Sequence, residues 1–508
     1  MCKGTIATVI SILTLVSQTV SGDVSGSVSA PSVAPNADVG APPAPSGELT
    51  LREAAALVLL DSPQLAAFAW DIRAAEARML QAGLRPNPEL AVDLEDIRFE
   101  RGPETTSRSL GLGTDGIGSF SFSRESGSHR GLTESQLTIS LSQLIELGGK
   151  RVKRVLAAGR ERDVVQWDYE IARLRVLTDA ARAFVAVLAA QERFALAGDL
   201  VHLAEEVRKT VATRVEAGKV TPLELNRAEI ALASENVAHE TARRQLEAAR
   251  VQLAAAWGAK QATFSRVDGH PELAPDCPLL NQLLERLATS PELTRWVHEA
   301  ARREAALTLA KAQRVPDLTV TLGFRTIGQG DRTQQDFTIG TDGVLAVARG
   351  DSDIAADREK LIIVGFSLPL PIFNRNQGNI QEAAHLLSKA EAERRATEVQ
   401  LHAALTQSYQ DMAAAHRELS ALRDDILSRA EKVFHSTEEG YRLGKFDYLE
   451  VLDAQRTLFN LKSQQVDAHA RYHAALAEVE RLVGEPIAGD FSALQVKQKD
   501  KNNDPPEK

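Results

Sequence analysis

The chain is written twice. The stretch "EAGKVTPLELNRAEIAL" is answered by "RLGKFDYLEVLDAQRTL": Gly218 falls on Gly444, Lys219 on Lys445, Leu223 on Leu449, Glu224 on Glu450 and Ala228 on Ala454, at a constant offset of 226. The same offset carries Gly258 ("AAWGAK") onto Gly484 ("RLVGEP"). Upstream, Ser62 in "DSPQL" falls on Ser290 in "TSPEL" and Pro88 on Pro316, at an offset of 228. Separated anchors in one order and at near-constant spacing mark an internal duplication of about 210 residues per half. Whatever fold forms must be built from two like parts.

The remaining segments divide accordingly. Residues 1–22 read as a secretory signal peptide: Lys3, an apolar run from Ile6 to Val16, then small residues at Ser21 and Gly22. That run is 11 residues, too short to span a bilayer. Residues 23–47 are a Pro/Ser/Gly-rich linker with the composition of disorder. The first repeat is expected over 48–260, a connector over 261–278, the second repeat over 279–486, and a disordered polar tail over 487–508.

Each half predicts helix, strand, polar loop, strand, very long helix, Gly turn, helix. The spans are 50–83, 89–99, 134–145, 150–215 and 222–257, then 279–313, 317–326, 360–370, 379–440 and 447–483. The strands alternate with period two. "PDLTVTLGFR" places Leu318, Val320, Leu322 and Phe324 on one face, "EKLIIVGFSL" places Ile362, Val364, Phe366 and Leu368, and "SQLTISLSQ" places Leu137, Ile139 and Leu141. The strand "ELAVDLEDIRFE" alternates to Leu94 and then requires a bulge. Residues 151–215 would extend ~98 Å as a helix at ~1.5 Å per residue. Their partners carry heptads: Leu225, Leu232, His239, Leu246 and Leu253 in one half, Val451, Leu458, Gln465, Tyr472 and Val479 in the other. Ala228, Ala242, Ala454 and Ala468 are among the small residues between.

Aromatics are 5% of the chain, which suits closely packed long helices better than one thick core. The net charge of −10 argues against a nucleic-acid partner, which needs a basic face. Of the two cysteines, Cys2 precedes the apolar leader and Cys277 stands alone, so once the leader is removed no intrachain disulfide can form. The fold class is therefore mostly α with a small β part.

Four amphipathic strands of bilayer length cannot close a membrane barrel, because the smallest single-chain barrels have about eight strands. Open strand edges are not tolerated in lipid. The strands must be completed by other copies, as a shared transmembrane β-barrel continued by an α-barrel of helical hairpins, with loops 100–133 and 327–359 outside. "SLPLPIFNRNQGNI" marks where the chain leaves the barrel. Pro369 and Pro371 end the ladder, and Asn374, Arg375, Asn376, Gln377 and Gly378 start the helix. The matching bend in "SLSQLIELGGKR" uses Gly148 and Gly149.

With the duplication, the two Gly turns and this strand-to-helix segment in view, residues 48–486 resemble the TolC family of outer-membrane efflux channels. "LPLPIFNRNQGNI" is similar to its heavy-metal, CzcC-like branch. The resemblance implies a homotrimer with a barrel of twelve strands in outer-membrane lipid and a periplasmic extension. It also implies a periplasmic adaptor and an inner-membrane pump of the proton-driven resistance-nodulation-division type. By the same resemblance, Gly218, Lys219, Val220, Gly444, Lys445 and Phe446 are the adaptor-docking tips, and Glu224, Tyr441, Glu450 and Asp453 form the periplasmic gate. Glu450 and Asp453 share a helix face at i,i+3, and Tyr441 is expected to tie the tip shut through Glu224. The sequence departs from the family at Phe446, where one branch has an arginine, so an apolar or rearranged latch is expected.

No catalytic constellation, cofactor motif or metal site is assigned. His469 and His473 lie i,i+4 but no Cys or carboxylate cluster joins them, and the GGK of "ELGGKR" lacks the flanks of a phosphate loop. The competing readings are a periplasmic adaptor, which would have one hairpin beside a β module, and a structural long-helix protein without a pore, which would lack the alternating strands.

Overall fold

The computed structural model describes residues 47–95, 105–112, 118–126, 136–269, 277–327, 333–339, 345–349 and 359–487. The expected signal peptide, all but one residue of the linker and all but one residue of the polar tail lie outside them.

The first repeat opens with β1 (Glu48–Leu49) and α1 (Leu51–Asp61). Thr50 and Glu53 cap α1 reciprocally: the Glu53 amide donates to Thr50 Oγ1 at 3.3 Å and the Thr50 amide to Glu53 Oε2 at 2.9 Å. The expected helix over 50–83 is two helices. Ser62 leaves helical geometry and Pro63 opens α2 (Pro63–Gly83), where a missing N–H costs nothing. The two meet at 41°, and no single described helix is long and apolar enough to cross a membrane. Then come β2 (Glu89–Glu95), β3 (Thr105–Leu112), β4 (Gly118–Ser126) and β5 (Gln136–Ile145). The loop expected over 100–133 therefore carries a β-hairpin; the bulge expected after Leu94 lies outside the described residues. α3 (Lys150–Glu216), 67 residues long, runs unbroken to the first Gly turn, and α4 (Pro222–Ala255) returns along it.

The second repeat copies the order with local changes. Ahead of it, in the connector, β6 (Arg266–Val267) pairs in parallel with β1 of the first repeat. α5 (Leu280–Arg286) and a 3₁₀ turn (Leu287–Thr289) stop at Ser290, and α6 (Pro291–Ala312) begins on Pro291, so the helix expected over 279–313 breaks at the same Ser-Pro step. β7 (Leu318–Ile327), β8 (Thr333–Ile339), β9 (Leu345–Arg349) and β10 (Glu359–Ser367) follow, placing strands within the loop expected over 327–359. α7 (Gln377–Ala421) passes through a π-helical turn (Leu422–Ile426) into α8 (Leu427–Arg442), and α9 (Tyr448–Val483) returns.

The heptad seams are the packed faces. Ala228, Ala242 and Leu253 on α4 and Val451, Leu458, Ala468, Tyr472 and Val479 on α9 are buried. The first core joins Leu49, Val58, Phe184, Leu253, Phe264 and Val267; the second joins Leu283, Leu405, Val479 and Leu482. Each such side chain contributes about 1.5–3 kcal/mol relative to exposure. Both halves close the same way at their ends: a Cβ on Gly258 would stand 2.9 Å from Pro63 Cγ, and one on Gly484 would stand 3.0 Å from Pro291 Cγ. Ion pairs join the halves, Arg182 to Glu478 at 2.7 Å, Arg193 to Asp467, and Arg295 to Asp168.

The strands form two antiparallel four-stranded sheets, β10-β7-β5-β2 and β3-β4-β8-β9. In the first, register aligns Val92, Ile139, Phe324 and Ile362 in one row and Leu90, Leu141, Leu322 and Val364 in the next on the same face. The opposite face aligns Asp93, Thr138, Arg325 and Leu361. There Arg325 Nε donates to Thr138 Oγ1 at 3.0 Å, and the Ser142 and Thr321 hydroxyls lie 2.9 Å apart. The apolar face is bare, with Ile362 82% exposed.

Candidate functional site

Two regions hold the candidate residues: the exits from the sheet and the far ends of the hairpins. At the first exit, Gly148 and Gly149 have φ of 69° and 67°. Gly148 needs its missing side chain twice over, since a Cβ would also meet Val315 at 3.0 Å. Asp317 braces the bend, accepting from the Leu147 amide at 3.0 Å and pairing with buried Lys150 at 2.7 Å. Arg154 grips Glu146 with both Nη atoms and donates through Nε to the Ala82 carbonyl, satisfying the open end of α2.

At the second exit the ladder stops at Ser367, before Pro369, and the Ile372 amide donates to the Leu370 carbonyl at 2.9 Å in a tight turn around Pro371. The left-handed residue is Asn376, at φ 60°, and not Gly378, which lies inside the first turn of α7. Asn and not glycine serves because its side chain is used: Nδ2 donates to the Ala310 carbonyl at 2.8 Å and so caps α6. Asn374 Oδ1 accepts from the Asn376 amide at 3.0 Å, an Asx turn. Leu370, Ile372 and Phe373 stay exposed, Phe373 at 90%.

The hairpin ends share one backbone design. In the first, Lys219 N–H reaches the Arg214 carbonyl and Gly218 N–H the Val215 carbonyl, both at 2.9 Å. In the second, Lys445 N–H reaches the Gly440 carbonyl at 2.8 Å and Gly444 N–H the Tyr441 carbonyl at 2.9 Å. Both are Schellman caps closed by a left-handed glycine. Gly218, Lys219, Gly444 and Lys445 are exposed, while Val220 is half-buried and the Phe446 ring folds back over Gly440.

The four gate candidates do not converge. Glu450 and Asp453 line a cleft of about 400 Å³ between α8 and α9, together with Val433, Thr437 and Phe446. Glu450 also caps its own helix, accepting from the Asp447 amide at 3.2 Å. Tyr441 points elsewhere, into a cluster with Val211, Ala228, Tyr448 and Val451, and is 4% exposed. Its hydroxyl makes no hydrogen bond, so the tie expected through Glu224 is not formed. Burial pushes that hydroxyl above its ordinary value; Arg214 opposes the shift and Glu224 adds to it through charge alone. Arg214, which no motif in the sequence marks, adds a polar hold to this apolar packing. Arg214 Nη1 donates to the Tyr441 carbonyl at 2.9 Å, and its guanidinium lies 4.4 Å from the ring centroid.

His469 has a buried Nδ1 without a hydrogen bond, and burial, then His473, keep its pKa below the ordinary value. Among the described residues no three His, Cys, Asp or Glu side chains are grouped to hold a metal ion.

The family model for outer membrane efflux proteins matches residues 55–259 and again 281–485, one match per half. The chain belongs to the outer membrane efflux protein family. It is thus an outer-membrane channel protein of TolC type, and the family is one of channels, not enzymes. The chain is 29% identical to the cobalt-zinc-cadmium resistance protein CzcC of Cupriavidus metallidurans, over 86% of this chain and 91% of that one. It is 23% identical to the nickel-cobalt-cadmium resistance protein NccC of Alcaligenes xylosoxydans xylosoxydans, over 74% and 72%. Among solved structures, a membrane protein from Pseudomonas aeruginosa superposes with a TM-score of 0.62 at 21% identity, covering 86% of this chain and 90% of that one. The outer membrane protein VceC of Vibrio cholerae gives 0.60 at 18%, covering 86% and 97%. Within the efflux family's shared fold, the exits and tips described above are where this chain's own side chains set the geometry.

Proposed function

We propose that three copies of this chain form the outer-membrane duct of a tripartite pump that exports metal cations. The observation that carries this reading is the β10-β7-β5-β2 sheet, which has one apolar face, one polar face, and two edge strands, β10 and β2, that pair with nothing else among the described residues. In lipid an open edge leaves backbone groups unsatisfied at several kcal/mol each, so the edges are completed by further copies. Three four-stranded sheets make a closed barrel of twelve strands.

The helical part offers a matching surface. On α4, Leu223, Ile230, Val237 and Val251 are exposed, the first three at intervals of seven, on a face turned away from α3. A neighbouring copy covers that stripe. The exposed turns at Lys219 and Lys445 dock a periplasmic adaptor, which links the duct to an inner-membrane pump of the resistance-nodulation-division type. Glu224, Glu450 and Asp453, repeated in three copies with Tyr441 behind them, give the narrow end a negative field that favours cations. Metal cargo is supported by the likeness to the cobalt-zinc-cadmium resistance protein.

The test is conductance of the purified chain in planar bilayers. The expected result is a pore blocked by multivalent cations, with block weakened or conductance raised in Glu450→Ala/Asp453→Ala. A protein that forms no pore would sink the duct, and an unchanged double variant would sink the gate.

A further inference from the structure

We propose that Arg214 is a clasp that holds the two hairpin turns of one chain together and so controls whether the inner end of the duct is shut. The control of the pore rests on the duct reading above; the clasp does not.

The duplication exposes it. At the offset of 226, Arg214 corresponds to Gly440, Val215 to Tyr441, Val220 to Phe446 and Pro222 to Tyr448. Two copies of one turn have become complementary, a cation on the first and aromatic rings on the second. Arg214 and Gly440 hold the same place in their caps, each offering the carbonyl that receives the outermost N–H of the turn. On the first turn that place carries a side chain long enough to cross to the second. On the second it is bare.

The crossing contact has three parts. Arg214 Nη1 donates at 2.9 Å to the Tyr441 carbonyl, which already accepts from Gly444 N–H. The guanidinium plane covers the Tyr441 ring at 4.4 Å from its centroid. Its Nη2 lies 3.9 Å from where a Cβ on Gly444 would stand. One planar side chain of the first half thus touches the carbonyl, the ring and the glycine that define the turn of the second. Tyr441 in turn stacks obliquely on Tyr448 at 6.3 Å, at the start of α9. Displacing Arg214 therefore removes the polar tie between the second turn and α3 and leaves the turn held there by the apolar cluster around Val211 alone.

A carbonyl and a ring face do not titrate in the physiological range, so this contact holds where a carboxylate pair would weaken with acid. A lysine keeps only part of it, because the ammonium has no plane to lay on the ring and no fork to reach the carbonyl at the same time.

The experiment uses the full chain in lipid nanodiscs, with nitroxide labels on noncanonical amino acids at positions 219 and 445. The unmutated chain should give one narrow distance distribution. Arg214→Ala should shift and broaden it, Arg214→Lys should give an intermediate result, and Lys209→Ala, an exposed charge on the same helix, should leave it unchanged. In planar bilayers Arg214→Ala should raise conductance several-fold and Arg214→Lys less. Should Arg214→Ala fail to assemble, Arg214→Gln removes the charge with less loss of bulk and is read the same way. An unchanged distance distribution on loss of Arg214 overturns the clasp. A changed distribution with unchanged conductance overturns its control of the pore while leaving the duct standing. An unmutated chain that never conducts overturns the duct reading, and with it any gating role.

Discussion

The ring of Phe446 lies against the bare Cα of Gly440, so close that a Cβ at that position would penetrate the ring. Gly440→Ala must evict Phe446 or shift the turn, at a cost of about 1–3 kcal/mol. We expect a lower apparent melting temperature for detergent-solubilised Gly440→Ala and for Phe446→Ala, with the double variant no worse than the worse single one. Additive losses would mean that the ring and the glycine are not partners.

The two faces of the β10-β7-β5-β2 sheet predict opposite tolerance to charge. Ile362→Arg places a cation in the apolar rows and should cost about 2–4 kcal/mol if the row is near mid-membrane. Asp93→Arg, on the polar face of β2, should be borne. Recovery of folded, heat-modifiable protein in the outer-membrane fraction reads the difference, and equal recovery would remove the lipid-facing assignment.

Much of this was legible in the sequence, and the exceptions have physical causes. Period two marked the apolar set of each strand, and because a slip of one residue would turn that set to the other face, the sets align across the sheet, as Val92, Ile139, Phe324 and Ile362 do. The helix breaks at Pro63 and Pro291 were missed because apolar periodicity continues across them, although proline at a first helical position is itself a start signal. The strands within 100–133 and 327–359 were hidden by glycine and serine content, despite alternation in "GSFSFS". Arg214 looked like any charge on a solvated helix. The signal that could have found it was the mismatch at its duplicate, a long cation set opposite a glycine.

Glu478 makes the seam between halves sensitive to acid. The hydrogen bond from Arg481 holds its carboxyl below the ordinary value, burial opposes this, and Arg182 adds to the depression. A carboxyl lowered on folding stabilises above its unfolded pKa, ~4.3, and loses that contribution as pH falls through the folded value. Apparent melting temperature should therefore be flat with respect to this group from neutral pH to about 5 and fall below ~4.3. Glu478→Gln should start lower and fall less steeply; an identical pH profile would count against the assignment.

Asn376 combines a left-handed backbone with a cap on α6, and substitutions separate the two. Asn376→Ala keeps neither and should cost about 1–2 kcal/mol or more. Asn376→Gly relieves only the backbone and should recover part of the loss. If alanine and glycine behave alike in thermal unfolding, the strain at this position is negligible.

Each half is buttoned shut by its own proline and its own glycine, Pro63 with Gly258 and Pro291 with Gly484, and neither fastening borrows a residue from the other half. A cut between Gly269 and Cys277 therefore leaves each fastening whole. Two separately translated polypeptides, severed there and exported together, have what they need to find each other along the α3–α9 seam, as an ancestral pair of unfused genes would have required.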